Sequence, residues 1–458
     1  MGENNATFQA PVTRRTALAA TAAGVVGVAA GAAGTKISAT LKPDDNAVAE
    51  LIGEPRSSTR EALETLLDAD RAAIDARLAY TTPRTLRIEA GVEGVDGTGQ
   101  VDDSGAIQRI LDSASRGSTI VFGLPGSSRH FRIDKTLVIN TGQLRVIGTG
   151  ADHYSASLHT AAPITMLQVR ESGLILDQVA FSSSPERGAE QATGVEFLGS
   201  DAADIDGHVL RCAFFKLLRG VVMRGKNLRI ENSLFSSGRT GIHVGGADKT
   251  FHQKFESRNL IAHANRFHAM GVKPDDADVM ISNEHQHSAS QINNNFFDYS
   301  WGGNQIAIHG AASAEHSAIN MVGNSHHQMA GAAYSLDRVS TCKVSSAQVV
   351  GDTASEGVAV SLTNSNAVSL VDVSVSNHHV GFQVSDAVHI ALRGVTASQN
   401  RSDGLILGRG LNRLTLDGVS AFGNDGWGIT GVPPTNAYRG LVSSYLNQRG
   451  DLSPDLGL

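Results

Sequence analysis

The chain has 458 residues, 49 of them glycine, and only 5% are aromatic. A formal charge of −7 provides no basic footprint, which argues against a nucleic-acid partner and leaves a neutral or weakly charged ligand as the default. The length suffices for a large core, and abundant glycine with few aromatics suits a coil that turns a tight corner several times per repeat.

The first element in chain order is an export pattern. Thr13-Arg14-Arg15-Thr16-Ala17-Leu18 precedes an Ala/Gly/Val-rich stretch that ends in Ala30-Gly31-Ala32. Residues 1–34 thus resemble a twin-arginine signal, which implies secretion of a folded protein. The apolar run is too short and too glycine-rich to serve as a membrane span in the mature protein. Residues 35–86 read as a polar linker and a helical leader. Between Val48 and Tyr80, Leu63, Leu67, Ile74 and Leu78 share one helix face, with Ser57, Ser58 and Thr59 available as caps. Asp70 interrupts that seam, so the leader is expected to pack on the domain after it or to form a small trimerising bundle; the oligomer is a monomer or a homotrimer. The segment Ala47–Leu67, with Ser58-Thr59-Arg60-Glu61-Ala62-Leu63, resembles helical leaders in tail proteins of actinobacterial phages. A cell-surface or virion-tail location is therefore the alternative to secretion.

Near-repeats occupy the chain from about Ser172 to Thr430. Leu228-Arg-Ile-Glu-Asn232, Ile261-Ala-His-Ala-Asn265, Ile292-Asn-Asn294 and Met321-Val-Gly-Asn324 superimpose, and Val371, Leu392 and Leu416 open later copies. A spacing of roughly 22 to 33 residues is that of a solenoid, whose units bury an apolar side only by stacking. Each unit holds period-2 strands with no helical stripe, which predicts an all-β, right-handed, single-stranded parallel β-helix over residues 87–432. Residues 433–458, with Pro433-Pro434, are expected to be a C-terminal tail that caps the last coil. Cys212 and Cys342 lie about five turns apart, and at ~4.8 Å per turn they are too distant for a disulfide.

The start of this region resembles the pectate-lyase-like superfamily. The residues that carry the likeness are Gly97-Thr-Gly-Gln-Val-Asp102-Asp103-Ser-Gly-Ala106-Ile107, Thr119-Ile-Val-Phe122-Gly-Leu-Pro125-Gly126 and Leu144-Arg-Val-Ile147-Gly-Thr-Gly150. The resemblance implies a pectin-lyase-like solenoid whose first coil is closed by an N-terminal capping helix. The residues agree: Asp102 or Asp103 can cap a helix running to about Ser115 that turns Ile107, Ile110 and Leu111 inward.

Strand alternation sends His243, Ser282, Glu284, His309 and Asp337 out from one face across about four turns. Ten of the 17 histidines fall between His243 and His327. Nearby loops carry Lys273, Asp275, Asp276 and Asp278, then Asp298, Tyr299 and Trp301. A groove across stacked turns suits a linear polymer, with Tyr299 and Trp301 as apolar platforms and Ser282, Lys273 and Asp298 as polar contacts. The leading expectation is an exported enzyme that hydrolyses a polysaccharide, with Glu284 and Asp337 as the carboxylate pair, His309 tuning them and His243 beside them. One alternative is a lyase on a uronic-acid polymer, with His243 or His309 as base and Lys273 or Arg338 as the neutralising cation. Asp275, Asp276 and Asp278 would then be candidates to hold Ca²⁺. The other alternative is a glycan-binding protein without catalysis. His285 and His287 have no third partner for a metal site. Asn232, Asn265, Asn294 and Asn324 read as a structural series of stacked corner amides.

Overall fold

The computed structural model describes residues 83–456 apart from 124–128, 150–155, 185–189, 199–204, 246–256, 283–285, 312–314, 353–354, 433 and 435. The export pattern and leader, and with them Glu284 and His285, lie outside the described residues.

Alternating apolar side chains and frequent corners produce an all-β parallel β-helix. Among the described residues the strands form three long parallel sheets. Sheet I runs from Thr85–Ile88 to Tyr438–Arg439 in fourteen strands, and sheet II from Thr98–Asp102 to Val442–Tyr445 in fourteen. Sheet III runs from Leu137–Ile139 to Gly450–Leu452 in thirteen, and a four-stranded sheet IV holds Ser257–Arg258, His287–Ser288, His316–Ser317 and Val339–Ser340. The chain visits sheets I, II and III in turn, as in Leu228–Glu231, Leu234–Ser236 and Thr240–Val244, and then climbs one rung to Ile261–His263. Helix α1 (Ser104–Asp112) buries Ile107, Ile110 and Leu111, the inward set expected from its spacing. Asp102 accepts the Ser104 amide at 3.0 Å, while Asp103 turns back to the amides of Asp96 and Gly97 and holds the glycine-rich loop. The rungs continue past Val432. Tyr438–Arg439, Val442–Tyr445 and Gly450–Leu452 pair with the rung below, so the segment expected as a folded-back tail is itself a rung, with Leu456 buried beyond it.

In-register stacking places like on like inside the coil. Phe181, Phe214, Phe235, Phe267 and Phe297 form a continuous face-to-face column, with centroids 4.8–5.3 Å apart. His326 takes the next place in it, 4.7 Å from Phe297 and nearly parallel to it. Its Nδ1 meets Gln305 Oε1 at 2.7 Å, and burial pushes its pKa down to about 3, so the ring is a neutral core member. The amide ladder is also present, with Asn265 and Asn324 as expected and Asn295 in place of Asn294. It runs Asn265–Asn295–Asn324: Oδ1 of Asn295 and of Asn324 each accepts the amide and side chain of the asparagine below, and Oδ1 of Asn265 accepts the Ser233 amide. Asn232 and Asn294 instead take positive φ at the corners, a conformation asparagine tolerates. A second ladder, Asn400–Asn424–Asn447, serves the C-terminal rungs. Cys212 and Cys342 are buried free thiols pushed up to about 12.

One core position breaks the pattern. Asp278 falls in register between Gly241 and Gln305, is fully buried, and has no partner for Oδ1. Burial holds its carboxyl well above the usual carboxylate range. The folded protein therefore keeps a proton that the unfolded chain gives up once pH exceeds about 4, and stability falls as pH rises from there toward the folded-state pKa. Asp278→Asn removes this term. Its denaturant midpoint is expected to exceed the parent's by more at about pH 7 than at about pH 4, and an equal difference at both would refute the assignment.

Candidate active site

Sheet II presents the most concentrated chemistry on its outer surface. Three successive strands, Arg266–Met270, Phe296–Ser300 and Ser325–Met329, pair with Arg266, Phe296 and Ser325 in one column and His268, Asp298 and His327 in the next. The residues between them, Phe267, Phe297 and His326, belong to the inner aromatic column, so alternation turns both outer columns to solvent. The stacked rings fix the backbone beneath the site.

Register brings His268 and Asp298 together. The Nδ1–H of His268 donates to Asp298 Oδ2 at 3.0 Å, which leaves Nε2 as the ring atom able to take a proton. Arg266 donates to the same carboxylate oxygen at 3.3 Å and lies over the Phe296 ring at 5.7 Å. His327, on the next rung, packs beside Phe296 and bonds Ser325 Oγ at 2.8 Å. The His268 side chain is 47% exposed and Asp298 24%, so the dyad is reachable. At the corner after Asp298, Trp301 is 44% exposed and stands edge-to-face on Tyr299 at 4.4 Å. The aromatic pair expected to grip sugar thus follows Asp298 at the end of the same strand.

Sheet III carries the other expected residues in a different state. His243 lies between Val222 and Met280 on the outer column but is buried; burial, with Arg219 and Arg224 nearby, pushes its pKa down to about 3. Ser282 Oγ donates to the Val244 carbonyl. His309 and Asp337 are adjacent in register, yet His309 Nε2 bonds Ser335 Oγ at 2.9 Å, and burial holds its pKa below the usual imidazole value. The Asp337 side chain is 26% exposed, but its carboxylate is engaged by three donors: Arg338 at 2.6 Å, Thr363 at 3.0 Å and Asn364 at 2.7 Å. Lys273 is exposed on the corner between the sheets.

The aspartate triplet does not converge. Asp275 is exposed, Asp276 is clamped by Arg239 at 2.8 Å and by the amides of Val272 and Lys273, and Asp278 is inside the core. These three residues do not fit a Ca²⁺ site, which needs their oxygens around one point. No group of three or more metal-ligating side chains occurs among the described residues. His287 is buried in sheet IV with Nε2 on Ser290 Oγ, and its amide donates to His316 Nδ1.

No protein-family model and no curated protein matches this chain. Solved structures do. An alginate lyase of family PL6, in complex with a trisaccharide, has a TM-score of 0.50 at 11% identity, covering 82% of this chain and 86% of that one. Tailspike protein 3 of bacteriophage CBA120 has a TM-score of 0.50 at 12% identity, covering 82% of this chain but 62% of that one. The periplasmic alginate epimerase AlgG has a TM-score of 0.46 at 12% identity, covering 69% and 78%. The fold is the pectate-lyase-like right-handed parallel β-helix. At these identities the likeness is one of fold alone.

The donors around Asp337 give that residue a structural role that can be measured. Asp337→Ala strands Arg338, Thr363 and Asn364 and is expected to cost about 1–3 kcal/mol of stability. A denaturant midpoint equal to the parent's would show that the three bonds contribute nothing.

Proposed function

We propose that the protein is an exported enzyme that acts on an acidic polysaccharide at the outer face of sheet II by removing the proton beside the sugar carboxylate. The observation that carries this reading is the His268–Asp298 hydrogen bond through Nδ1, which leaves Nε2 facing solvent beside a cationic Arg266. Asp298 orients the ring and stabilises the imidazolium that forms. Arg266 has further N–H donors for a substrate carboxylate. Trp301 and Tyr299 hold the neighbouring sugar.

The step is a β-elimination. His268 Nε2 takes the proton at C5, and the electrons of that C–H bond form a C4=C5 double bond. The C4–O bond breaks with its electron pair on the glycosidic oxygen, which takes a proton from solvent. Negative charge accumulates on the carboxylate during proton removal, where Arg266 stabilises it more strongly than in the ground state. The expected alternative of hydrolysis by Glu284 and Asp337 has less support, because the Asp337 carboxylate already accepts from Arg338, Thr363 and Asn364. The PL6 likeness adds a lyase of the same fold to this reading. Export fits the scheme, since a polymer of this kind is met outside the cell, and no helix among the described residues is long and apolar enough to cross a membrane.

The test uses alginate and polygalacturonate as substrates and follows both reducing ends and ultraviolet absorbance of the unsaturated uronate. Absorbance should grow with the parent protein, and His268→Ala or Asp298→Asn should lower kcat by about 10²–10⁴-fold. Arg266→Ala should lower kcat/KM on these polymers in the same direction. Undiminished activity in His268→Ala would sink the assignment. Reducing ends without absorbance, lost in Glu284→Gln, would move the chemistry to Glu284 and make it hydrolysis.

A further inference from the structure

The N-terminal rungs of sheet II carry a second polar cluster that the elimination does not use. Ser182-Ser183-Ser184 runs off the end of the strand Ala180–Ser183 in the out–in–out alternation of this sheet. Ser183 is buried and donates to the Lys216 carbonyl, which fixes the backbone of the two outward serines. Ser182 pairs in register with His159 on the rung below. The His159 ring meets both outward hydroxyls: Nδ1 lies 3.1 Å from Ser182 Oγ, and Nε2 lies 2.7 Å from Ser184 Oγ. Ser182 Oγ reaches on to Ser157 Oγ at 3.4 Å.

Among the described residues no other histidine has hydroxyls on both ring nitrogens. His309 and His327 each bond one serine through Nε2, and the His287–Ser290 pair is buried. Here the hydroxyl at the end of the chain of bonds is open, because Ser184 is exposed while His159 is half-buried. Burial, with His130 and Arg132 alongside, holds the His159 pKa below the usual imidazole value, so the ring is neutral near neutral pH. A neutral imidazole has one N–H. Given to Ser182 through Nδ1, it leaves the Nε2 lone pair on the Ser184 hydroxyl. A nucleophile, a base and a group that orients the base thus form one chain.

We propose that Ser184 and His159 form a nucleophilic site that hydrolyses short-chain carboxylic esters. Ser184 Oγ attacks the carbonyl carbon while its proton passes to His159 Nε2. The bond from that carbon to the alcohol oxygen breaks with its electron pair on the oxygen, which takes the proton from Nε2. Water then attacks the acyl-serine with the same nitrogen as base, and the acid leaves as Ser184 Oγ recovers its proton. Ser182 is a positioning residue, with a hydroxyl where a carboxylate would hold the imidazolium more strongly. The site therefore suits an ester, whose alkoxide leaves a tetrahedral intermediate more readily than an amine anion does. Phe215 pairs with Ser182 on the rung above and puts an apolar ring on the same outer column, which suits a short acyl chain. Four rungs, about 19 Å, separate His159 from His268, so this activity does not rest on the elimination.

The experiment treats the full chain with a fluorophosphonate, which reacts with activated serines, and follows p-nitrophenyl acetate hydrolysis beside it. Labelling is expected at Ser184, mapped by peptide mass, with ester hydrolysis lost in proportion. Ser184→Ala should abolish both, and His159→Ala should slow both by at least about 10²-fold. Ser182→Ala should lower kcat for the ester with KM unchanged, and Ser182→Thr, which keeps the hydroxyl, should restore it. Ser184 is exposed, so its substitution leaves the core intact. Absence of label in the parent, or label at another residue, would overturn the proposal. Labelling of Ser184 that is as fast in His159→Ala would do the same, as would labelling without ester turnover.

Discussion

The whole structure depends on parallel pairing at one strand spacing per turn. Each inward side chain meets its own equivalent from the rung below, so a core position must be filled by something that stacks on itself. Phenylalanine does so through its faces, and asparagine does so by passing a hydrogen bond upward from each amide to the next. The constraint also dictates small residues where backbone meets backbone. A Cβ on Gly220 would lie 2.7 Å from the Gly241 carbonyl oxygen and the same distance from the Phe235 ring. Polar exceptions arrive in compensating pairs. Where the aromatic column passes from Phe297 to His326, the glycine column beside it carries Gln305, whose Oε1 receives the new ring nitrogen. Asp278, one rung earlier, has no such complement, which makes it the weak point of an otherwise matched interior.

Much of the fold was legible for the same reason. A repeat that must stack on itself writes its period into the chain, and the strings from Leu228 to Leu416 carried it plainly. Local shifts were harder to see. Asn294 and Asn295 are neighbours of one type, and only the pairing register shows that Asn295 enters the ladder while Asn294 turns the corner. The last rung was hidden by Pro433 and Pro434, which read as an end although strands resume at Tyr438.

The site was legible in composition and less so in position. The dense histidines between His243 and His327 drew attention to the rungs that carry the proposed site, but alternation supplies parity only. It cannot say whether an outer face is open. His243 obeys the expected parity and is nonetheless buried. Several of the histidines serve the interior: His287, His316 and His326 are all buried, with ring nitrogens tied to Ser290, the His309 carbonyl and Gln305. Asp298, Tyr299 and Trp301 were read from the sequence as ligand contacts, and they lie on or next to the strand that carries the proposed dyad. Their partners Arg266 and His268 were not so read, although Arg266-Phe-His268, Phe296-Phe-Asp298 and Ser325-His-His327 share one out–in–out pattern that aligns them rung by rung.

A histidine–carboxylate pair is not by itself diagnostic, and this molecule contains the control. On sheet I, His208 and Glu231 meet at 2.7 Å, a shorter contact than the one on sheet II. There the bond is made through Nε2, the atom farthest from the backbone. The nitrogen that remains is Nδ1, next to Cβ and closest to the sheet, where a sugar C–H cannot easily reach it. In His268 the roles are reversed: Nδ1 is spent on Asp298 and the outermost nitrogen of the ring is left without that partner. Arg266 on the same carboxylate and Trp301 at the adjoining corner complete a surface that the sheet I pair lacks among the described residues. Which nitrogen holds the carboxylate, more than how closely it is held, is what the role proposed for His268 depends on.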